Sequence, residues 1–156
     1  MSRILIQSWT VARVAVAVLC AGWLCLRLRR FDGMIGLRLP HWLAPVGLAL
    51  LVAGGFGVLY CGALLSTPGF IPTEFVAYGP FRYVRNPMSL AAVAMMFGLG
   101  LFSGSASIVI FSLIFFVAMH GLVVFVEEPL LERRFGQGYL LYKQTVNRWI
   151  PRRPHA

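Results

Sequence analysis

YGPFRYVRNPMS, residues 78–89, is a basic turn that runs straight into an apolar stretch, and the next hydrophobic run ends in the acidic pair Glu127-Glu128. Gly79-Pro80 signals a turn. Asn86-Pro87 signals a helix start, with Asn at the N-cap and Pro at the first helical position. Arg82 and Arg85 alternate here with Phe81 and Tyr83. Charge held against an apolar membrane segment is costly, which makes this turn a functional candidate. Residues 87–102 read as one helix, FSGSAS at 102–107 as a turn, and 108–126 as the returning helix. The first of these is about 24 Å long at 1.5 Å per residue, short of a ~30 Å hydrocarbon core. Helices joined by so short a turn are antiparallel neighbours. The basic turn and the acidic pair therefore finish at the same membrane face.

Composition places the rest of the chain around this hairpin. Of 156 residues, 59% are hydrophobic and 12% charged, about half the charge of an ordinary soluble domain. Two further apolar runs, 4–26 and 42–65, precede the hairpin. The expected fold is all-α and polytopic, with about four transmembrane helices, a C-terminal helical hairpin and an interfacial amphipathic tail. Its organisation is two N-terminal spans at 1–66, a core at 67–151 and a basic tail at 152–156. The first apolar run is too long for the h-region of a cleaved leader. Arg13, within it, either snorkels or meets a partner helix, or with Gln7 lines a polar path. Ala49, Ala53, Gly57 and Cys61 form a small-residue face suited to close helix packing, inside the bundle or between copies.

The formal charge of +9 does not point to nucleic acid, because the arginines flank apolar segments. The N-terminus, the 66–85 loop and the C-terminus share a side that holds nine Lys and Arg, against four in the 27–41 linker. The excess puts both termini in the cytoplasm, in a membrane of bacterial cytoplasmic type. The loop at 66–78 is punctuated by Pro68, Gly69 and Pro72. Beyond Pro129, apolar and aromatic residues alternate with Arg and Lys, and Gly136 and Gly138 interrupt the run once; a short amphipathic helix over the site is expected. Cys20, Cys25 and Cys61 lack metal or disulfide spacing, and no metal site is expected.

Glu127 and Glu128 stand where a helix end and an apolar span both disfavour carboxylates. Either they are hydrated and paired with Arg133 or Arg134, or at least one binds a cationic or hydroxyl-bearing ligand. His120 lies two helical turns before Glu127 and so faces the same way; it lines the same cavity or bonds a neighbouring helix. Asn86 suits a cap, and a helix N-terminus beside Arg82 and Arg85 also suits an anion; the roles are compatible. Gly98 and Gly100 fit close packing at the hairpin better than a phosphate loop.

GPFRYVRNPMS, a helical hairpin, then EEPLLERRFGQGYLLYKQTVNRWIP together resemble the membrane-embedded methyltransferases, which include isoprenylcysteine carboxyl methyltransferases and phospholipid methyltransferases. The resemblance covers residues 67–151. It implies an S-adenosylmethionine pocket contacted by Thr73, Glu74, Phe75, Val76, Phe81, Asn86, Pro87, Met88, Ser89 and Glu127. Arg85, His120 and Glu128 are the candidates on the acceptor side, and no residue is singled out as catalytic. The prenylcysteine branch has His in place of Asn86 and Tyr in place of Ser89, so a prenylated cysteine, a lipid amine and a small apolar acid all remain possible acceptors. Two other readings stay open. One is an NADPH-dependent membrane reductase of steroid-reductase type, its arginines holding a 2′-phosphate. The other is a non-enzymatic small membrane protein, either a transporter half or an assembly subunit.

Overall fold

The computed structural model describes residues 16, 19–20, 22–25, 27–35, 38–66 and 78–151. The described residues of the first apolar run are helical and lead through a 3-10 turn, Arg29–Phe31, into a single α turn, Asp32–Ile35. Gln7 and Arg13 lie outside the described residues. After Pro40 and a second 3-10 turn, helix α1 runs Ala44–Ser66. Helix α2 occupies Pro87–Phe102 and α3 Ala106–Leu122. A π turn, Val123–Glu127, carries α3 into α4, Glu128–Phe135, and α5 spans Gln137–Thr145. The described residues are helical with no strand beyond an isolated bridge between Arg38 and Ser105. Two stretches, His41–Leu65 and Ala106–Phe135, are long and apolar enough to cross a membrane, and Pro87–Phe102 is a shorter apolar helix.

Helices α1 and α2 pack backbone against backbone, antiparallel. A Cβ added at Gly47 would lie 2.3 Å from the Phe102 nitrogen, and one at Gly98 would lie 2.5 Å from the Leu51 nitrogen. At Gly54 the obstacle is the Met95 nitrogen, at 2.5 Å. In lipid, where apolar side chains gain nothing by leaving the solvent, such close approach is the main source of helix association. The expected stripe of Ala49, Ala53, Gly57 and Cys61 is only half right: Gly57 and Cys61 face α2, but Ala49 and Ala53 are exposed. The buried line is Gly47, Gly54 and Cys61, seven residues apart. Steps of four drift by about 40° each, whereas seven residues nearly close two turns.

The turn between α2 and α3 is built by Gly104 at φ +66 and by the Ser105 hydroxyl, which accepts from the Ile108 N–H as the N-cap of α3. Gly100 packs against Val109 across the hairpin, so Gly98 and Gly100 serve opposite neighbours. The N-terminal segment closes this end. The Asp32 carboxylate accepts from the Ser107 N–H at 3.0 Å, and the Leu39 N–H donates to the Gly104 carbonyl at 3.0 Å. Cys25 packs with Met96 and Ile108 in a small core flanked by Leu99, Phe111 and Phe115.

Candidate active site

The basic turn forms first. Gly79, at φ +52, opens a 3-10 turn, Gly79–Arg82, and the Val84 N–H returns to the Pro80 carbonyl. Pro87 then starts α2 with its φ preset and no N–H to leave unpaired. Asn86 occupies the cap position, and its carbonyl accepts from the Leu90 N–H, but its side chain makes no capping bond. The first N–H groups of α2, at Met88 and Ser89, thus lack the acceptor that an Asn cap ordinarily supplies. Pro87 and Met88 are buried, Asn86 and Ser89 half-buried. Beside this corner a shallow apolar groove of about 240 Å³ runs between α1 and α2, lined by Ala53, Gly54, Val84, Pro87, Ala91 and Ala94 among others.

The acidic pair is set by Pro129. Proline has no N–H for the helix ladder, and its ring collides with the carbonyl four residues back. The helix widens instead of ending: the Glu128 N–H reaches the Val123 carbonyl, a five-residue step. This corrects the expectation that the helix stops at 126 and leaves both carboxylates at its negative end. Glu128 therefore sits within a continuous helix, just past its π turn, and at neither end of it. The wider turn also means that the seven residues from His120 to Glu127 no longer make two regular turns. His120 is exposed, and its Nδ1 accepts from Trp149 Nε1–H at 2.9 Å, which leaves the proton of a neutral ring on Nε2.

Glu128 is 3% exposed and meets three cations. Arg148 grips it in bidentate fashion, Nε to Oε1 at 2.7 Å and Nη2 to Oε2 at 2.9 Å. Arg85 Nη1 stands 2.9 Å from Oε1, an ion pair too poorly aligned to count as a hydrogen bond, and Lys143 Nζ is 3.4 Å from Oε2. Lys143 also pairs with Glu132. The expected partners Arg133 and Arg134 take no part, because five or six residues along a helix is the wrong face. A buried carboxylate without cations would be untenable, so these contacts fix the C-terminal segment wherever Glu128 is. Two more bonds join that segment to the basic turn: the Tyr142 hydroxyl donates to the Phe81 carbonyl at 2.7 Å, and the Arg85 N–H to the Asn147 carbonyl at 2.9 Å. Leu131 and Phe135 pack on Tyr139, Tyr142 and Val146 beneath it. Burial, and after it the Glu128 charge, pushes the Tyr139 phenol up to about 12.

The structure therefore brings Arg85 and Glu128 together and links Phe81 to the tail, while Thr73, Glu74, Phe75 and Val76 lie outside the described residues. Glu127 is half-buried in the π turn. Sequence reasoning treated Lys143 and Arg148 only as members of a basic tail; the signal for their role was the need of Glu128 for cations. Among the described residues no group of His, Cys, Asp and Glu could hold a metal ion.

Two stretches of the bundle are long and apolar enough to cross a membrane, and one end of it gathers Arg85, Glu128, Lys143 and Arg148 into a single charged cluster. The chain belongs to the phospholipid methyltransferase family, whose model matches residues 43–138, from the start of α1 into α5. That family is one of membrane methyltransferases. Comparison with curated proteins and with solved structures finds no match.

Proposed function

We propose that the protein is an S-adenosylmethionine-dependent methyltransferase whose acceptor is a lipophilic molecule drawn from the bilayer. The observation that carries this reading is the cap of α2: Asn86 holds the helix start without spending its side chain on it. The α2 N-terminus and the Asn86 amide suit a carboxylate, and Glu127 suits an ammonium, a sulfonium or a ribose hydroxyl. Thr73, Glu74, Phe75, Val76, Phe81 and Ser89 complete the proposed cofactor wall. Bound there, S-adenosylmethionine supplies an electrophilic methyl group. The chain's own contribution is to hold acceptor and donor in line and to keep water out, which accounts for most of the acceleration such a transfer needs. The apolar groove beside Pro87 suits the alkyl part of a phospholipid or prenylated acceptor. Arg85 and Glu128 act through the tail segment that they anchor. The nine basic residues on the site's side favour a site that opens to the cytoplasm.

The experiment is a melting curve in detergent. S-Adenosylhomocysteine at about 100 times its dissociation constant should stabilise the folded protein by about 2.7 kcal/mol. Glu127→Gln should weaken that binding by about 10- to 100-fold, the loss expected for one charge-assisted hydrogen bond. No response to S-adenosylhomocysteine, or a response to NADPH alone, overturns the reading.

A further inference from the structure

We propose that Arg133 and Arg134 form a docking surface for anionic phospholipid headgroups, independent of the reaction the protein catalyses. The helix from Ala106 to Phe135 has 30 residues, or about 45 Å at 1.5 Å each. The hydrocarbon core is about 30 Å thick, and the bilayer with its headgroups about 40–45 Å. A helix of that length reaches through both headgroup layers, so about five residues at each end lie outside the hydrocarbon. The outward side of this helix makes the same transition. Val126 is 52% exposed and Leu130, four residues on and so on the same face, 64%, areas that only lipid covers in a membrane. One turn beyond Leu130 stand Arg133 and Arg134, both exposed, flanking the same line. The other side of α4, with Leu131 and Phe135, is turned to the tail.

The arginines have charge to offer. Among the described residues neither has an acidic partner. Glu128 is saturated by Arg85, Arg148 and Lys143, Glu132 pairs with Lys143, and Asp32 lies at the other end of the hairpin. Arg134 rests over the Phe135 ring, 5.2 Å from its centroid, and remains exposed. Uncompensated guanidinium groups one turn past a lipid-covered leucine stand at phosphate depth, and Arg matches a phosphate diester with two parallel N–H bonds. Continuity with the lipid-covered line selects a bilayer lipid over a free phosphate.

The test is native mass spectrometry of the detergent-solubilised full chain with phosphatidylglycerol or phosphatidylcholine. The parent should prefer phosphatidylglycerol. Each Arg→Gln change should weaken that binding about 5-fold, from ~1 kcal/mol per basic residue near a membrane surface. The pair Arg133→Lys and Arg134→Lys should bind between the parent and the double Gln variant, because the charge is kept and the paired N–H fork is lost. Comparing the two lipids within each variant cancels any general change in stability. Equal binding of both lipids by the parent, or an unchanged phosphatidylglycerol affinity in the double Gln variant, overturns the proposal. So does a Lys pair as weak as the Gln pair. Competition by millimolar inorganic phosphate would show a free-anion site instead and would also overturn it.

Discussion

At Glu128 a single carboxylate decides where the last part of the chain lies. Its neighbour Glu132, one turn on, makes a similar pair with Lys143, yet the two should behave differently. Glu128 has a side chain 4% exposed, whereas Glu132 and Lys143 are 35% and 29% exposed. Glu128→Gln leaves the buried Arg85 guanidinium without its counter-charge, and breaking such a pair from one side costs about 3–5 kcal/mol. Glu132→Gln removes a hydrated pair and should cost under about 1 kcal/mol. Chemical unfolding of both variants in the same detergent checks this, and equal losses would deny Glu128 its anchoring role. Asp32 makes a second residue-scale test, by pH. Burial raises its pKa, but the hydrogen bonds from Ser105 and Ser107 and the Arg29 charge outweigh this and hold the carboxyl below its usual range. Because the folded value lies under the unfolded one, at about 3.9, the contribution is complete above that pH and is lost as pH falls through the folded value. Stability of the parent should therefore decline on acidification below about pH 4 more steeply than that of Asp32→Asn.

Among the elements, the α1–α2 pair depends on absent side chains, and α3–α4 on an irregular turn. A methyl group at Gly98 has backbone from Leu51, Gly47 and Leu50 within 2.9 Å, and backbone cannot rotate aside. Gly98→Ala should cost about 1–3 kcal/mol by overpacking, offset by less than about 1 kcal/mol of helix propensity. Gly55→Ala is the control, since its nearest obstacle is the flexible Met95 sulfur at 3.7 Å. Thermal melting should show Gly98→Ala lowered and Gly55→Ala unchanged or raised. The π turn was not legible from periodicity. Pro129 announces a break, but whether a chain stops there or widens depends on what its next turn can pack against, and here that is Tyr139 and Tyr142.

For the molecule as a whole, the two ends of the hairpin are chemically distinct. One holds Asp32, Arg38 and the Ser103–Ser107 turn, and the other holds the basic turn, Glu128 and the C-terminal helices. Cysteines at Arg38 and Gln144, both exposed, should be labelled by an impermeant reagent from opposite sides of a sealed membrane. Labelling of both from one side would contradict a hairpin that crosses the bilayer.

Local chemistry made much of this readable in advance. Asn86-Pro87 starts α2 and the FSGSAS turn ends it at the expected places, and Gly136, at φ +53, divides the tail once. Apolar runs, prolines and glycines act within a few residues of themselves, so these features follow from the order of residues alone. Family membership was legible too, since it rests on motifs and their spacing. The face on which α1 meets α2, the partners of Glu128 and the bond between His120 and Trp149 were decided only by the tertiary structure. Arg85, Lys143 and Arg148 lie far from Glu128 along the chain or on another helix, and a basic tail has no periodicity that selects one cation over another. What selects them is burial: the folded bundle removes water from Glu128, and only the cations that packing brings within about 3 Å can replace it.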